Sequence, residues 1–142
     1  MGEAEKRVRE LIERYTLLEE IARQLSERVR LLETIYGEVT TTITTLEELG
    51  KTTVPRETLL PIGGAIYLFG EVKRFDKVLL NVGSGVVLEK TPEEALEFLN
   101  LQKQEVAKEL ENSRSRLRQV LMELDKIREL VQTLRQAAEA PG

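Results

Sequence analysis

Residues 8–46 read VRELIERYTLLEEIARQLSERVRLLETIYGEVTTTITTL, and the spacing of their apolar side chains decides the fold. Val8, Leu11, Tyr15, Leu18, Ala22, Leu25, Val29, Leu32, Tyr36, Val39, Ile43 and Leu46 follow one another in alternating steps of three and four without a miss. So narrow a stripe is the seam of a coiled coil, which cannot bury itself and needs a second helix. That helix lies at the other end of the chain. Its seam runs through Leu96, Leu99, Val106, Leu110, Leu117, Val120, Leu124, Ile127, Val131, Leu134 and Ala138, interrupted only by Lys103 and Ser113. The first helix is expected over residues 3–49, with Gly50 supplying a left-handed cap. At about 1.5 Å per residue it spans on the order of 70 Å.

Between the helices the apolar period drops to two, and Pro55, Pro61, Gly63-Gly64, Gly70, Gly83 and Gly85 punctuate the chain. Four strands are expected over residues 58–62, 65–73, 77–83 and 86–90, which make two consecutive β-hairpins. The glycine-rich turns at Gly63-Gly64 and Ser84-Gly85 admit positive φ. Thr91, Pro92, Glu93 and Glu94 supply an N-cap, a first-turn proline and dipole-matched acids to start the second helix. Ile66, Leu68 and Val72 alternate with Tyr67 and Phe69, and Val78, Leu80 and Val82 are backed by Leu79. Lone hairpins cannot bury apolar residues on both faces, so the strands are expected to join those of other subunits as part of a β-barrel.

Charge sets the direction of the helix pair. Beside the first seam, g positions carry Arg7, Arg14 and Arg28, and e positions carry Glu19, Glu33 and Glu47. Beside the second, e carries Arg114, Arg128 and Arg135, while g carries Glu109 and Glu123, with Arg116 the exception. Antiparallel pairing sets g against g and e against e, and so brings Arg mostly opposite Glu. The expected fold is therefore α+β: a long antiparallel coiled-coil hairpin with two β-hairpins inserted at its base. Its domains are residues 1–49 for the first helix, 50–92 for the assembly platform and 93–142 for the second helix. In this register Ile43 stacks on Leu99, Leu25 on Leu117 and Val8 on Leu134, and the weak layers are Val39 with Lys103 and Val29 with Ser113.

Composition excludes much chemistry. The chain has 142 residues, no cysteine and no histidine, so disulfides, thiolate metal sites, thiol catalysis and the commonest general base are absent. A net charge of -4, with Lys and Arg interleaved with Glu, argues against nucleic acid as a partner. No apolar run is long enough to span a membrane and the N-terminus has no signal-like apolar stretch, so a cytoplasmic location is expected. The adjacent carboxylates Glu19-Glu20 and Glu93-Glu94 fall on solvent faces. Gly83-Ser84-Gly85 lacks the lysine and the following helix of a phosphate loop and reads as a hairpin turn. Thr40-Thr41-Thr42 and Thr44-Thr45 read as a softened helix end rather than as hydroxyl chemistry. Neither enzymatic activity nor a cofactor is expected.

The open end of the seam is the better candidate. Val8, Leu11, Ile12 and Tyr15 on one helix and Leu130, Val131, Leu134 and Ala138 on the other widen the stripe there. Ile12 at an e position and Leu130 at a g position lie where a strict two-helix seam is wet. These residues are expected to present a mobile apolar surface to another chain's exposed hydrophobic side chains.

The segment from Leu59-Leu60-Pro61-Ile62-Gly63-Gly64 through KVLLNVGSGVVLEK (77–90), with EEALEFL (93–99) beginning the next helix, resembles the α-type subunit of prefoldin. The resemblance covers nearly the whole chain, and two hairpins rather than one point to the α class. It implies a chaperone without ATPase activity, built from two α and four β subunits, with a double β-barrel platform and six coiled-coil tentacles. Such a chaperone holds unfolded proteins and delivers them to a group II chaperonin. On that resemblance Leu60, Ile66, Leu68, Val78, Leu80, Val82, Val86 and Leu88 would build the platform, and the tip residues would touch clients. Two other readings stand beside it: a filament-forming structural protein with the same β block, and a coiled-coil adaptor for one folded partner.

Overall fold

The computed structural model describes residues 2–139. In chain order it runs α1 (Glu3–Gly50), β1 (Arg56–Gly63), β2 (Ile66–Val72), β3 (Val78–Gly83), β4 (Val86–Lys90) and α2 (Pro92–Glu139). Two long helices thus enclose two strand hairpins, as the change of apolar period predicts. The residues fall into two compact units, one up to Ile35 together with those from Val106 onward, the other Tyr36–Glu105.

In the first unit α1 and α2 pack antiparallel along their seams. Ala22, Leu25 and Leu32 are buried on α1, and Leu110, Leu124 and Ile127 on α2. Three ion pairs cross between the helices: Arg14 with Glu123, Arg28 with Glu109 at 3.1 Å, and Arg114 with Glu33 at 3.0 Å. The first two join g to g and the third joins e to e, the pattern that antiparallel pairing requires. Their side chains stay solvated, so each contributes only about 0 to 1 kcal/mol. The buried layers carry the stability and the charges set the direction. Ser113 is buried within the seam, so that weak layer is closed despite its hydroxyl.

Within the second unit Val39, Ile43 and Leu99 are buried. Lys103, at the other weak layer, places its ammonium 5.9 Å from the centre of the Tyr36 ring while its stem stays half-buried. At the start of α2 burial departs from the expected register. Ala95, only 2% exposed, is the most buried apolar residue, Pro92 is buried with it, and Leu96 is turned half outward. The first turn of α2 thus turns the small side chains of Pro92 and Ala95 inward in place of Leu96.

Thr91 caps that turn. Its hydroxyl accepts a hydrogen bond from the Glu94 amide at 3.1 Å and donates one to the Glu94 carboxylate at 3.0 Å. The end of α1 differs from expectation, because Gly50 stays inside the helix and none of the positive φ angles falls there. Thr52 satisfies the Leu49 carbonyl instead: its amide and its hydroxyl both donate to that oxygen, at 3.1 and 2.8 Å, while the Lys51 amide donates to the Glu48 carbonyl. A left-handed residue is not needed once these carbonyls are occupied. Before this end, Thr42, Thr44 and Thr45 donate back to carbonyls four residues earlier, and the helix runs through them unbroken.

Both hairpins are antiparallel two-stranded sheets, and neither is hydrogen-bonded to the other. Leu60 stands opposite Leu68 and Leu59 opposite Phe69 in the first, Leu80 opposite Leu88 and Asn81 opposite Val87 in the second. The second turn holds Ser84 and Gly85 at φ of 51° and 76° after Gly83 at 111°, and the Asn81 side chain accepts the Gly83 amide at 3.0 Å. Gly70 has a packing role, since a Cβ there would lie 2.8 Å from Leu60 Cδ1. Among the described residues the four strands close no barrel.

Candidate functional site

Besides apolar residues exposed singly along the helices, such as Leu17, Leu31 and Met122, two surfaces of the folded chain gather apolar side chains, one in each unit. The first is the strand block. The strand alternation sets Leu60, Ile66 and Leu68 on one face of β1–β2, and Val78, Leu80, Val82, Val86 and Leu88 on one face of β3–β4. Each of the eight is exposed or half-buried. The reverse faces are also apolar, with Phe69 79% and Leu79 77% exposed. A recess of about 400 Å³ adjoins the β3–β4 face, lined by Leu80, Val82 and Leu88 together with Phe98 and Leu101 of α2. Sequence reasoning did not single out Phe98 and Leu101. Their signal is two large apolar residues three apart and off the a/d stripe, which marks a second apolar face at the base of α2. The recess is rimmed by Lys90 and Glu94, an ion pair at 3.6 Å. The Thr91 hydroxyl, then the Thr91 amide, hold the Glu94 carboxyl below its ordinary value.

The second surface is where the helices end. Here the structure separates the expected contact residues into two groups. Val8, Leu11, Tyr15, Val131 and Leu134 sit half-buried in the seam, facing the other helix. Ile12 and Leu130 lie on the flanks, 43% and 46% exposed, and Ala138 is exposed. The two flanks differ. On the g side the Arg14–Glu123 ion pair closes over the seam. On the e side Arg128 turns to Tyr15 instead, donating from Nη2 to the phenol oxygen at 2.7 Å, with its guanidinium carbon 5.9 Å from the ring centre. That hydrogen bond, then the charges nearby, raise Arg128 above the ordinary guanidinium value.

This flank holds an open groove of about 530 Å³. Ile12, Tyr15, Ile127 and Val131 form its floor, and Arg128 and Arg135 stand at its rim with two glutamines and Glu139. A smaller hollow of about 190 Å³ between Val8, Leu134 and Ala138 lies at the same end. The sequence marks Ile12 as out of place at an e position. It does not mark Arg128 as a residue that leaves the ion-pair pattern, because that depends on the reach of the Tyr15 hydroxyl. Among the described residues no group of acids is placed to hold a metal, and no helix is long and apolar enough to cross a membrane.

Comparison with known proteins agrees with this architecture. The family model described as "Prefoldin subunit" matches residues 18–139. "Prefoldin subunit alpha" of Methanosarcina acetivorans is 33% identical over 120 residues, covering 82% of this chain and 84% of that protein. The proteins of the same name from Thermofilum pendens and Archaeoglobus fulgidus are each 32% identical, covering 93% and 89% of this chain and 99% and 92% of their own. A cryo-EM structure of filamentous PFD from Methanocaldococcus jannaschii superposes with a TM-score of 0.67 at 18% identity, over 84% of this chain and 96% of that one.

Proposed function

The chain belongs to the prefoldin family, in its α-subunit class, and we propose that it is the α subunit of an ATP-independent holding chaperone in the cytoplasm. Its hairpins join those of a second α copy and four β-type subunits in a shared barrel platform. The ends of its helix pair hold unfolded chains, which then pass to a group II chaperonin. The observation that carries this reading is the division of apolar surface within one chain. Along the helices the seam residues except Ala138 are buried or half-buried and the exposed apolar residues, such as Leu17, Leu31 and Met122, stand apart from one another, while both hairpins leave apolar side chains largely uncovered on both faces. A lone chain with such strands would aggregate at their edges, so they support obligate assembly. Ile12 and Leu130 support capture near the chain-terminal ends of the helix pair, since apolar side chains on a wet flank have no partner in a two-helix seam.

The direct test is aggregation of a chemically denatured protein, followed by light scattering in the presence of the assembled complex and without nucleotide. Suppression at near-stoichiometric amounts is the expected result. Unchanged aggregation would overturn the holding role. A second reading, a filament-forming protein, draws support from the fold shared with the filamentous PFD. Electron microscopy separates the two, as rods of variable length belong to the filament and discrete particles to the chaperone.

A further inference from the structure

The two flanks at the end of the helix pair differ in chemistry, which points to the kind of segment that one of them would hold. Elsewhere in the same unit three Arg–Glu pairs cross between the helices, although the same register also sets Ile21 against Arg116 and Ser26 against Leu121. At the e flank near the chain ends such pairing lapses twice. The register that joins Glu33 to Arg114 sets Ile12 against Arg135, so that guanidinium meets an apolar residue, and among the described residues it has no ion pair. The same register sets Glu19 against Arg128, yet Arg128 bonds the Tyr15 hydroxyl, and its ion pair is to Asp125 of its own helix at 3.7 Å. The result is a groove with an apolar floor and a rim rich in donors. Two guanidiniums stand there with the amides of Gln132 and Gln136 and the carboxylate of Glu139, and Arg135 is the one whose charge no ion pair offsets among the described residues, since Arg128 pairs with Asp125. Because Tyr15 accepts from Arg128, its own O–H stays free to donate.

From this geometry, and resting on the holding role proposed above, we infer that the e-flank groove selects unfolded segments in which a large apolar side chain lies within a few residues of an Asp or Glu. The apolar side chain sits on Ile12, Tyr15 and Val131, and the carboxylate meets Arg135 and Arg128. Backbone carbonyls of the extended segment take the glutamine amides. Unfolded segments that carry Lys or Arg beside the apolar residue meet two like charges and are disfavoured. On the g flank the Arg14–Glu123 ion pair crosses the seam, and Leu130 lies exposed beside it without such a groove of paired arginines and glutamines.

The test uses the full-length chain in the assembly that it forms, and two fluorescent 12-residue peptides of one design. Both carry spaced Phe residues, with Glu between them in one and Lys in the other; binding is read by anisotropy. A rim of solvated charges predicts that the Glu peptide binds about three- to fivefold more tightly at low ionic strength. The ratio should fall towards one at about 1 M salt, where screening acts over roughly 3 Å. Arg135→Gln should remove most of the ratio without abolishing binding, and Arg7→Gln should leave it unchanged. Equal binding of the two peptides by the unmodified chain, or a ratio indifferent to Arg135→Gln, overturns the inference and leaves the holding role standing. Failure of both peptides to bind overturns the two together.

Discussion

Gly37 lies exposed in the interior of α1, its φ is not positive, and a Cβ added there would touch nothing within 4 Å. Its flexibility therefore serves no close approach or turn. Gly37→Ala should raise the stability of the helix pair by about 0.5 to 1 kcal/mol, chiefly by narrowing the unfolded ensemble, as read by chemical denaturation followed by circular dichroism. Unchanged or lower stability would mean that the glycine is needed for a conformation other than this one. Thr91 is the opposite case, a residue whose side chain completes the start of α2. Thr91→Ala should cost about 1 kcal/mol in the same measurement. Glu94 adds a pH signature. Its carboxyl is held below the ordinary value in the folded chain, so its contribution is present above that ordinary value and is lost as pH falls through the depressed one. The penalty of Thr91→Ala should accordingly shrink on acidification through the carboxylate range.

At the scale of elements, strands that look finished as hairpins are unfinished as sheets. Leu80 pairs with Leu88 across β3–β4 and is half-buried in the single chain. A charge at this position costs the isolated hairpin little, but burying that charge against another subunit costs roughly 3 kcal/mol or more. Leu80→Asp should leave the helical circular dichroism intact and lower the native mass. An unchanged native mass would remove β3–β4 from the assembly face. Much of this arrangement was legible in the sequence, and for a physical reason. A seam of steps of three and four admits one kind of partner, and Arg and Glu at g and e favour one direction, so helix pairing followed from local pattern alone. The strands were read to within two residues at each end, because glycine at the turns and the alternation of Leu, Val and Ile fix both register and face. Other features depended on distances that a pattern does not contain. The close packing of Ala95 needed the path of the chain into α2, the Thr52 cap needed the actual end of α1, and the pairing of Arg128 with Tyr15 needed the length of both side chains. Phe98 and Leu101 were hidden because a heptad count discards apolar residues off the seam.

In the molecule as a whole, assembly and capture fall to different surfaces that folding leaves open. Testing the end of the helix pair requires residues that capture a client without holding the helices together. Leu11 and Leu134 are half-buried in the seam, so polar substitutions there would loosen the helix pair as well. Ile12 and Leu130 are exposed on the flanks, and Ile12→Ser with Leu130→Ser should leave the native mass alone while weakening the suppression of client aggregation severalfold. Full suppression by that double variant would place capture elsewhere. The central claim is that this chain is one part of a larger β platform, incomplete alone and completed by other subunits. Native mass spectrometry of the chain with and without a β-type subunit measures this directly. Adding the partner should yield a complex of two copies of this chain with four of the partner. A stable monomer that ignores the partner would contradict it.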